Sequence, residues 1–139
     1  MVNYNISFDR DVKTTLIADQ SAYRRDILST LLAFEDHRVI GVDNLLSLID
    51  TLNNYRVDLL ISHVDLPGIP MVDLIEYIRK KYFDIKIILL MREYSPELER
   101  ILRPFKILFV GTWPVREALF RSVVARSLER RNELSFVTC

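Results

Sequence analysis

The chain has one cysteine, one tryptophan, three glycines and two histidines in 139 residues. The lone thiol, Cys139, is the last residue, so no internal disulfide can form. No cysteine–histidine cluster offers a zinc site, and three glycines are too few for a glycine-rich phosphate loop. Charge of a dominant sign is also missing: nineteen Lys and Arg offset nineteen Asp and Glu. Zero formal net charge removes any global attraction to nucleic acid or anionic membrane and leaves only local patches. The longest apolar run, Ile87 to Met91, is far too short to cross a bilayer. Met1 to Asn5 carries neither a basic region nor an apolar stretch, so no secretory leader is expected. With the cysteine usage, this leads to the expectation of a reducing, cytoplasmic setting.

What is present is a dense hydrophobic pattern. Half of the residues are hydrophobic, which argues against disorder, and the length suits one domain. Five short apolar runs read as strands: Leu16–Ala18, Arg38–Val42, Val57–Ser62, Ile87–Met91 and Ile107–Val110. Between them lie stripes at helical spacing. Ile27, Leu28, Leu31 and Leu32 form the first, behind a Ser21 cap, with Arg24 and Arg25 expected on its exposed side. Asn44 caps the second stripe, Leu45 to Leu52, and Asn53-Asn54 stops it. Val72, Leu74, Ile75 and Ile78 form the third, which ends in Arg79-Lys80-Lys81, where cations suit the helix dipole. Ser95-Pro96-Glu97 opens a short fourth helix and Pro104 stops it; Pro114 opens the fifth, whose apolar side includes Leu119, Phe120, Val123, Val124 and Leu128. Alternation of strands and helices predicts an α/β three-layer sandwich around a parallel sheet. The domain is expected over 13–131, with 1–12 as an extended lead-in and 132–139 as a tail or the start of a linker.

The stretch Asp58-Leu59-Leu60-Ile61-Ser62-His63-Val64-Asp65-Leu66-Pro67-Gly68, together with Leu16-Ile17-Ala18-Asp19-Gln20-Ser21, resembles the receiver domain of two-component response regulators. The resemblance covers roughly Lys13 to Arg130 and implies a flavodoxin-like (βα)5 fold with sheet order 2-1-3-4-5. It also implies where a phosphorylation pocket would lie. In that family an acidic pair after the first strand helps hold magnesium. An aspartate ending the third strand accepts the phosphoryl group, a hydroxyl residue ends the fourth, and a lysine ends the fifth. Here those positions read Asp19-Gln20, His63, Met91 and Thr112, with Trp113 next. Only Asp19 keeps its expected type.

Magnesium favours hard oxygen ligands in near-octahedral geometry, and Gln20 and His63 supply an amide and a nitrogen instead. Met91 cannot donate a hydrogen bond to a phosphoryl oxygen, and Thr112 carries no cation. Phosphoryl transfer rests on positioning and charge stabilisation, and this set lacks both. Asp65 can point into the same cleft and pair with the imidazole. The expectation is therefore an atypical receiver, or pseudo-receiver: not an enzyme, without cofactor or metal, and independent of aspartyl phosphorylation. Such a module would regulate a C-terminal output domain or bind a protein partner, with transcription regulation as the implied setting.

Other readings stand beside it. His63 fills a strand end and bonds Asp19 or Asp65, acts as a protonation switch, or carries phosphate itself. Asp65 or Asp19 replaces the missing acceptor in an unusual phosphorylated switch. The last helix, with Arg116, Arg121, Arg126, Arg130 and Arg131, touches nucleic acid, although no base-reading motif accompanies it. The resemblance further implies docking or weak homodimerisation through the fourth helix, fifth strand and fifth helix, where Arg100, Arg103, Lys106, Trp113 and Arg116 fall. His37 is expected to be incidental to a turn.

Overall fold

The computed structural model describes residues 12–33 and 37–129. Residues 1–11 of the expected lead-in, the tail, Arg130 and Arg131 lie outside them. Five parallel strands form one sheet in the order β2-β1-β3-β4-β5. In chain order these are β1 (Lys13–Ala18), α1 (Ala22–Leu31), β2 (His37–Val42), α2 (Leu45–Asn54), β3 (Leu59–His63), α3 (Met71–Lys81), β4 (Lys86–Met91), α4 (Pro96–Leu102), β5 (Phe109–Thr112) and α5 (Glu117–Leu128). The predicted flavodoxin-like (βα)5 topology is thus the observed one.

Period-two alternation in the central strands builds two cores. Leu16, Ala18, Leu60, Ile87 and Leu89 face the side with Leu48, Leu52, Leu74, Ile75 and Ile78 of α2 and α3. Ile17, Leu59, Ile61, Ile88 and Leu90 face the other, against Leu28, Leu31, Phe120 and Val124 of α1 and α5. Strands buried on both faces are the reason these runs read as continuously apolar. Asp58 fixes the register before β3 begins: its carboxylate accepts from Thr14 N at 2.9 Å, its own N–H donates to Thr14 O, and its carbonyl accepts from Lys86 N.

Several local expectations change. β5 starts two residues later than the apolar run, because Lys106 adopts a left-handed conformation (φ 61) after a 3-10 turn at Arg103–Phe105. The fourth helix ends at Leu102, two residues before Pro104, as expected, and the 3-10 turn carries the chain past the proline. Pro114 follows Trp113 through a cis peptide, and α5 opens only at Glu117. The α5 burial stripe is Phe120, Val124 and Ser127, which turns Leu119 outward. His37 begins β2 rather than sitting in a turn. Its Nδ1 donates to Leu32 O at 2.7 Å, which leaves Nε2 to bond Thr15 Oγ1 at 2.6 Å.

Arg79, expected merely to complement a helix end, instead inserts its guanidinium among main-chain carbonyls. Nε donates to Phe105 O at 2.7 Å, Nη1 to Phe83 O and Ile85 O, and Nη2 to Lys106 O at 3.2 Å. Burial draws its pKa below that of a free arginine, with the charge of Asp84 opposing. The fork joins the α3–β4 turn to the chain entering β5. Arg79→Ala should cost about 3 kcal/mol, since bonds from a charged donor are worth about 1.5–3 kcal/mol each and water replaces only part of them. Thermal melts should show a fall of roughly 10 °C. Arg79→Lys should recover less than half, because an ammonium cannot span the carbonyls as a planar fork does.

Gly68 lies in the loop after β3 with φ +111, and an added Cβ would meet Leu45 Cβ at 3.2 Å. Gly68→Ala should therefore lower stability by about 1–3 kcal/mol in denaturant titration, from left-handed strain and the Leu45 contact together.

Candidate functional site

Parallel strands deliver their C-terminal ends to one rim, where open α/β sheets place ligands. Ala18 pairs with Ser62 and His63 with Leu90, while Met91 pairs with Thr112. The residues expected to form the pocket therefore stand side by side along this rim.

Asp19 is 1 % exposed, and its carboxylate is fully engaged. Ser21 N donates to Oδ1 at 2.9 Å, and Arg24 grips both oxygens, Nε to Oδ2 and Nη2 to Oδ1, each at 2.7 Å. Arg25 Nη1 donates to the Asp19 carbonyl at 2.7 Å, and Asp19 N donates to Val42 O at 3.0 Å. Arg24 and Arg25 were expected on the exposed side of α1; they fold back over the strand ends instead. A bidentate, charge-assisted pair outweighs the hydration of a partly exposed guanidinium. The hydrogen bonds that Arg24 donates to Asp19 raise the Arg24 pKa above its ordinary value; burial opposes this, and the charges of Asp19 and Asp65 add to it. A signal for this pair existed in the sequence. Arg24 occupies the first turn of a helix that has no acid there, and a cation at that end is unfavourable unless a nearby carboxylate holds it.

His63 ends β3 and is 3 % exposed. Its Nδ1 hydrogen-bonds Asp65 Oδ1, and its Nε2 is buried without a hydrogen-bond partner among the described residues. A carboxylate only accepts, so Nδ1 carries the proton in this contact. The bonding partner is Asp65, one of the two expected; Asp19 is committed to Arg24. The Asp65 side chain remains 56 % exposed. Gln20 is exposed beside this network. Met91 is buried, and its Sδ accepts from Ser95 N at 3.3 Å, while Ser95 Oγ caps α4 by accepting from Leu98 N at 3.2 Å. Thr112 is exposed at the end of β5. A shallow cleft of about 510 Å³ opens between the loops after β3 and β4, bordered by His63, Asp65, Met91, Arg92 and Ser95.

Magnesium does not fit this donor set. The one retained carboxylate spends its oxygens on a guanidinium and an amide, and no group of three or more His, Cys, Asp or Glu among the described residues is placed to hold a metal. The rim instead supplies its own cation. The candidate interface residues separate into two groups. Arg100, Arg103 and Lys106 are exposed along α4 and the turn below it. Arg116 is exposed at the opposite end of β5, while Trp113 is partly buried and packs against the core shared by α1 and α5.

No protein-family model matches the chain, and no curated protein does. Solved structures do. A chemotaxis response regulator of Vibrio cholerae superposes with a TM-score of 0.74 at 20 % identity, covering 84 % of this chain and 99 % of its own. The signal receiver domain of an HD domain-containing protein of Pseudomonas fluorescens gives 0.80 at 20 % identity, over 88 % and 98 %. A receiver domain protein of Methanospirillum hungatei gives 0.77 at 20 % identity, over 88 % and 98 %. At these identities the likeness speaks to architecture, and the architecture of this chain is that of a response-regulator receiver domain.

Proposed function

We propose that this chain is an atypical receiver, a cytoplasmic signalling module that acts through protein contact and does not switch by aspartyl phosphorylation. The observation that carries this reading is the Arg24 grip on Asp19. A receiver of the usual kind keeps its rim carboxylates for a metal; here a guanidinium of the same chain takes that place. The other replacements point the same way. His63 is buried where an acceptor must be reached, and Met91 anchors the start of α4 with its sulfur. Thr112, at the position of the family's lysine, brings no cation.

A partner protein or an output domain that follows the chain suits such a module, with transcription regulation as the setting the receiver architecture suggests. Weak homodimerisation across α4, β5 and α5 remains part of the proposal. Its exposed cations are Arg100, Arg103 and Lys106, whereas the Trp113 ring contributes chiefly to the core. Direct nucleic-acid binding has less support: Arg121 on α5 already pairs with Glu117 at 3.0 Å. No helix among the described residues is long and apolar enough to cross a membrane.

One alternative has a specific observation behind it. Of Asp19 and Asp65, Asp65 is the one that solvent reaches, so it is where an unusual phosphorylated switch using one of the two would accept phosphate. Incubation with a small phosphodonor and magnesium, followed by intact-mass measurement, separates the readings. The mass should stay unchanged; a stoichiometric base-labile adduct that disappears in Asp65→Asn would replace the proposal with the switch.

The counter-cation role of Arg24 has its own test. Arg24→Ala leaves the Asp19 carboxylate buried without its cation and should cost about 3 kcal/mol in denaturant titration. The double variant Asp19→Asn/Arg24→Met removes both charges and should recover more than half of that loss, which a merely packing role for Arg24 would not produce.

A further inference from the structure

At the end of the sheet opposite the rim, a cavity of about 390 Å³ opens beneath the starts of β1, β3 and β4. Cavities of this size hold small molecules. Lys13 opens β1 and Lys86 opens β4, with β3 between them. By period-two alternation Lys13 shares a face with Ile17 and Lys86 with Ile88, and both isoleucines belong to the core under α1 and α5. Leu59 pairs with Thr15 on one side and Lys86 on the other, so the two lysines start within two residues of the same level. They leave the sheet on one side, two strand spacings or about 10 Å apart, near enough for both ammonium groups to meet one anion. Neither forms an ion pair among the described residues. The acids of the same wall are already engaged. Asp58 accepts from Thr14 N at 2.9 Å and faces Arg56 Nε at 3.8 Å, the charge of Asp84 opposes the burial of Arg79, and Glu129 has a partner of its own.

The wall on the α2 and α3 side is aromatic, formed by Tyr55 and Tyr82. Arg38 lies over the Tyr55 ring at 6.0 Å from its centroid, and Lys81 over the Tyr82 ring at 5.6 Å, while the Tyr82 hydroxyl donates to Asn53 Oδ1. These contacts hold both rings before a ligand arrives, so little side-chain freedom is lost on binding. Each cation occupies one ring face and leaves the opposite face to a planar partner. Unspent ammonium groups select an anion, and fixed rings select a planar group in the same small molecule. A bare inorganic anion leaves the rings unused. We propose that this cavity is a binding site for a mononucleotide, with its phosphate between Lys13 and Lys86 and its base against the tyrosines. The phosphodonor experiment reads the rim and is silent on this end of the sheet.

The test titrates the isotope-labelled full chain with each common ribonucleoside monophosphate and follows backbone NMR signals. At least one nucleotide should give saturable shifts centred on Lys13, Arg56 and Lys86, weakened by salt. The matching nucleoside and inorganic phosphate should each bind at least about tenfold more weakly, equal to about 1.4 kcal/mol. The double variant Lys13→Ala/Lys86→Ala should weaken the nucleotide by a similar factor and leave the thermal melt unchanged, and Lys13→Arg/Lys86→Arg should retain most of the affinity. Tyr55→Ser should weaken the nucleotide and leave the affinity for inorganic phosphate as it was. No saturable shift with any nucleotide, or shifts centred on Asp19 and His63 at the rim, overturns the proposal. Inorganic phosphate that binds as tightly as the nucleotide overturns it as well, and so does undiminished binding by the double alanine variant.

Discussion

The Arg24–Asp19 pair sets the character of this molecule. An acid at the end of β1 is the natural seat for a cation, because the rim gathers the strand ends and excludes much of the water. Such a carboxylate cannot remain buried alone: uncompensated charge in a protein interior costs several kcal/mol. A metal can supply the compensation only while it is bound, whereas Arg24 supplies it permanently from the next helix. Ser21 then has two tasks. Its amide completes the carboxylate shell, and its hydroxyl caps α1, which places Arg24 at the right turn of that helix. The turn from β1 into α1 thus rests on one side chain, and the other rim residues are arranged around a charge already neutralised.

Three side chains along the rim share a physical sense: each makes its bond inside the protein. His63 turns to Asp65, Met91 to the amide of Ser95, and Asp19 to Arg24. The buried Nε2 of His63 is the exception, a polar atom without a hydrogen-bond partner among the described residues. Elsewhere the same preference appears in Arg79, which satisfies carbonyls of two connecting segments at the opposite end of the sheet. Arginine forks hold the loops at both ends while the apolar strands hold the middle.

The sequence made the architecture legible because strands buried on two faces and helices buried on one leave opposite signatures. Strand order followed from the resemblance, and the caps Ser21, Asn44 and Ser95 all fall where their side chains suggested. The side-chain geometry of the rim was less legible. Asp19, His63 and Met91 were visible as residue types, yet the partner that matters most, Arg24, was assigned to solvent. Helical periodicity sorts residues by face, but long side chains can reach back past the helix start, and that reach is invisible to a pattern of apolar positions. The boundary of β5 failed for a similar reason. Ile107 and Leu108 read as strand, while the left-handed Lys106 delays the ladder and leaves Leu108 half in water. Leu119 likewise matched an apolar stripe that the packing of Phe120 and Val124 rotates away from it.

A rim whose charges are satisfied internally also limits how the domain can be regulated. A ligand shifts a conformational equilibrium only by its difference in affinity for the two states. Here the Asp19 carboxylate and the Met91 thioether spend their bonding on neighbours in one arrangement, so an ion arriving at either gains little by selecting another. Exposed cations lie elsewhere, at Arg100, Arg103 and Lys106 along α4 and the turn below it. In the proposed reading, control by contact requires no second state of the sheet, and occupancy set by the concentration of a partner and its affinity carries the signal.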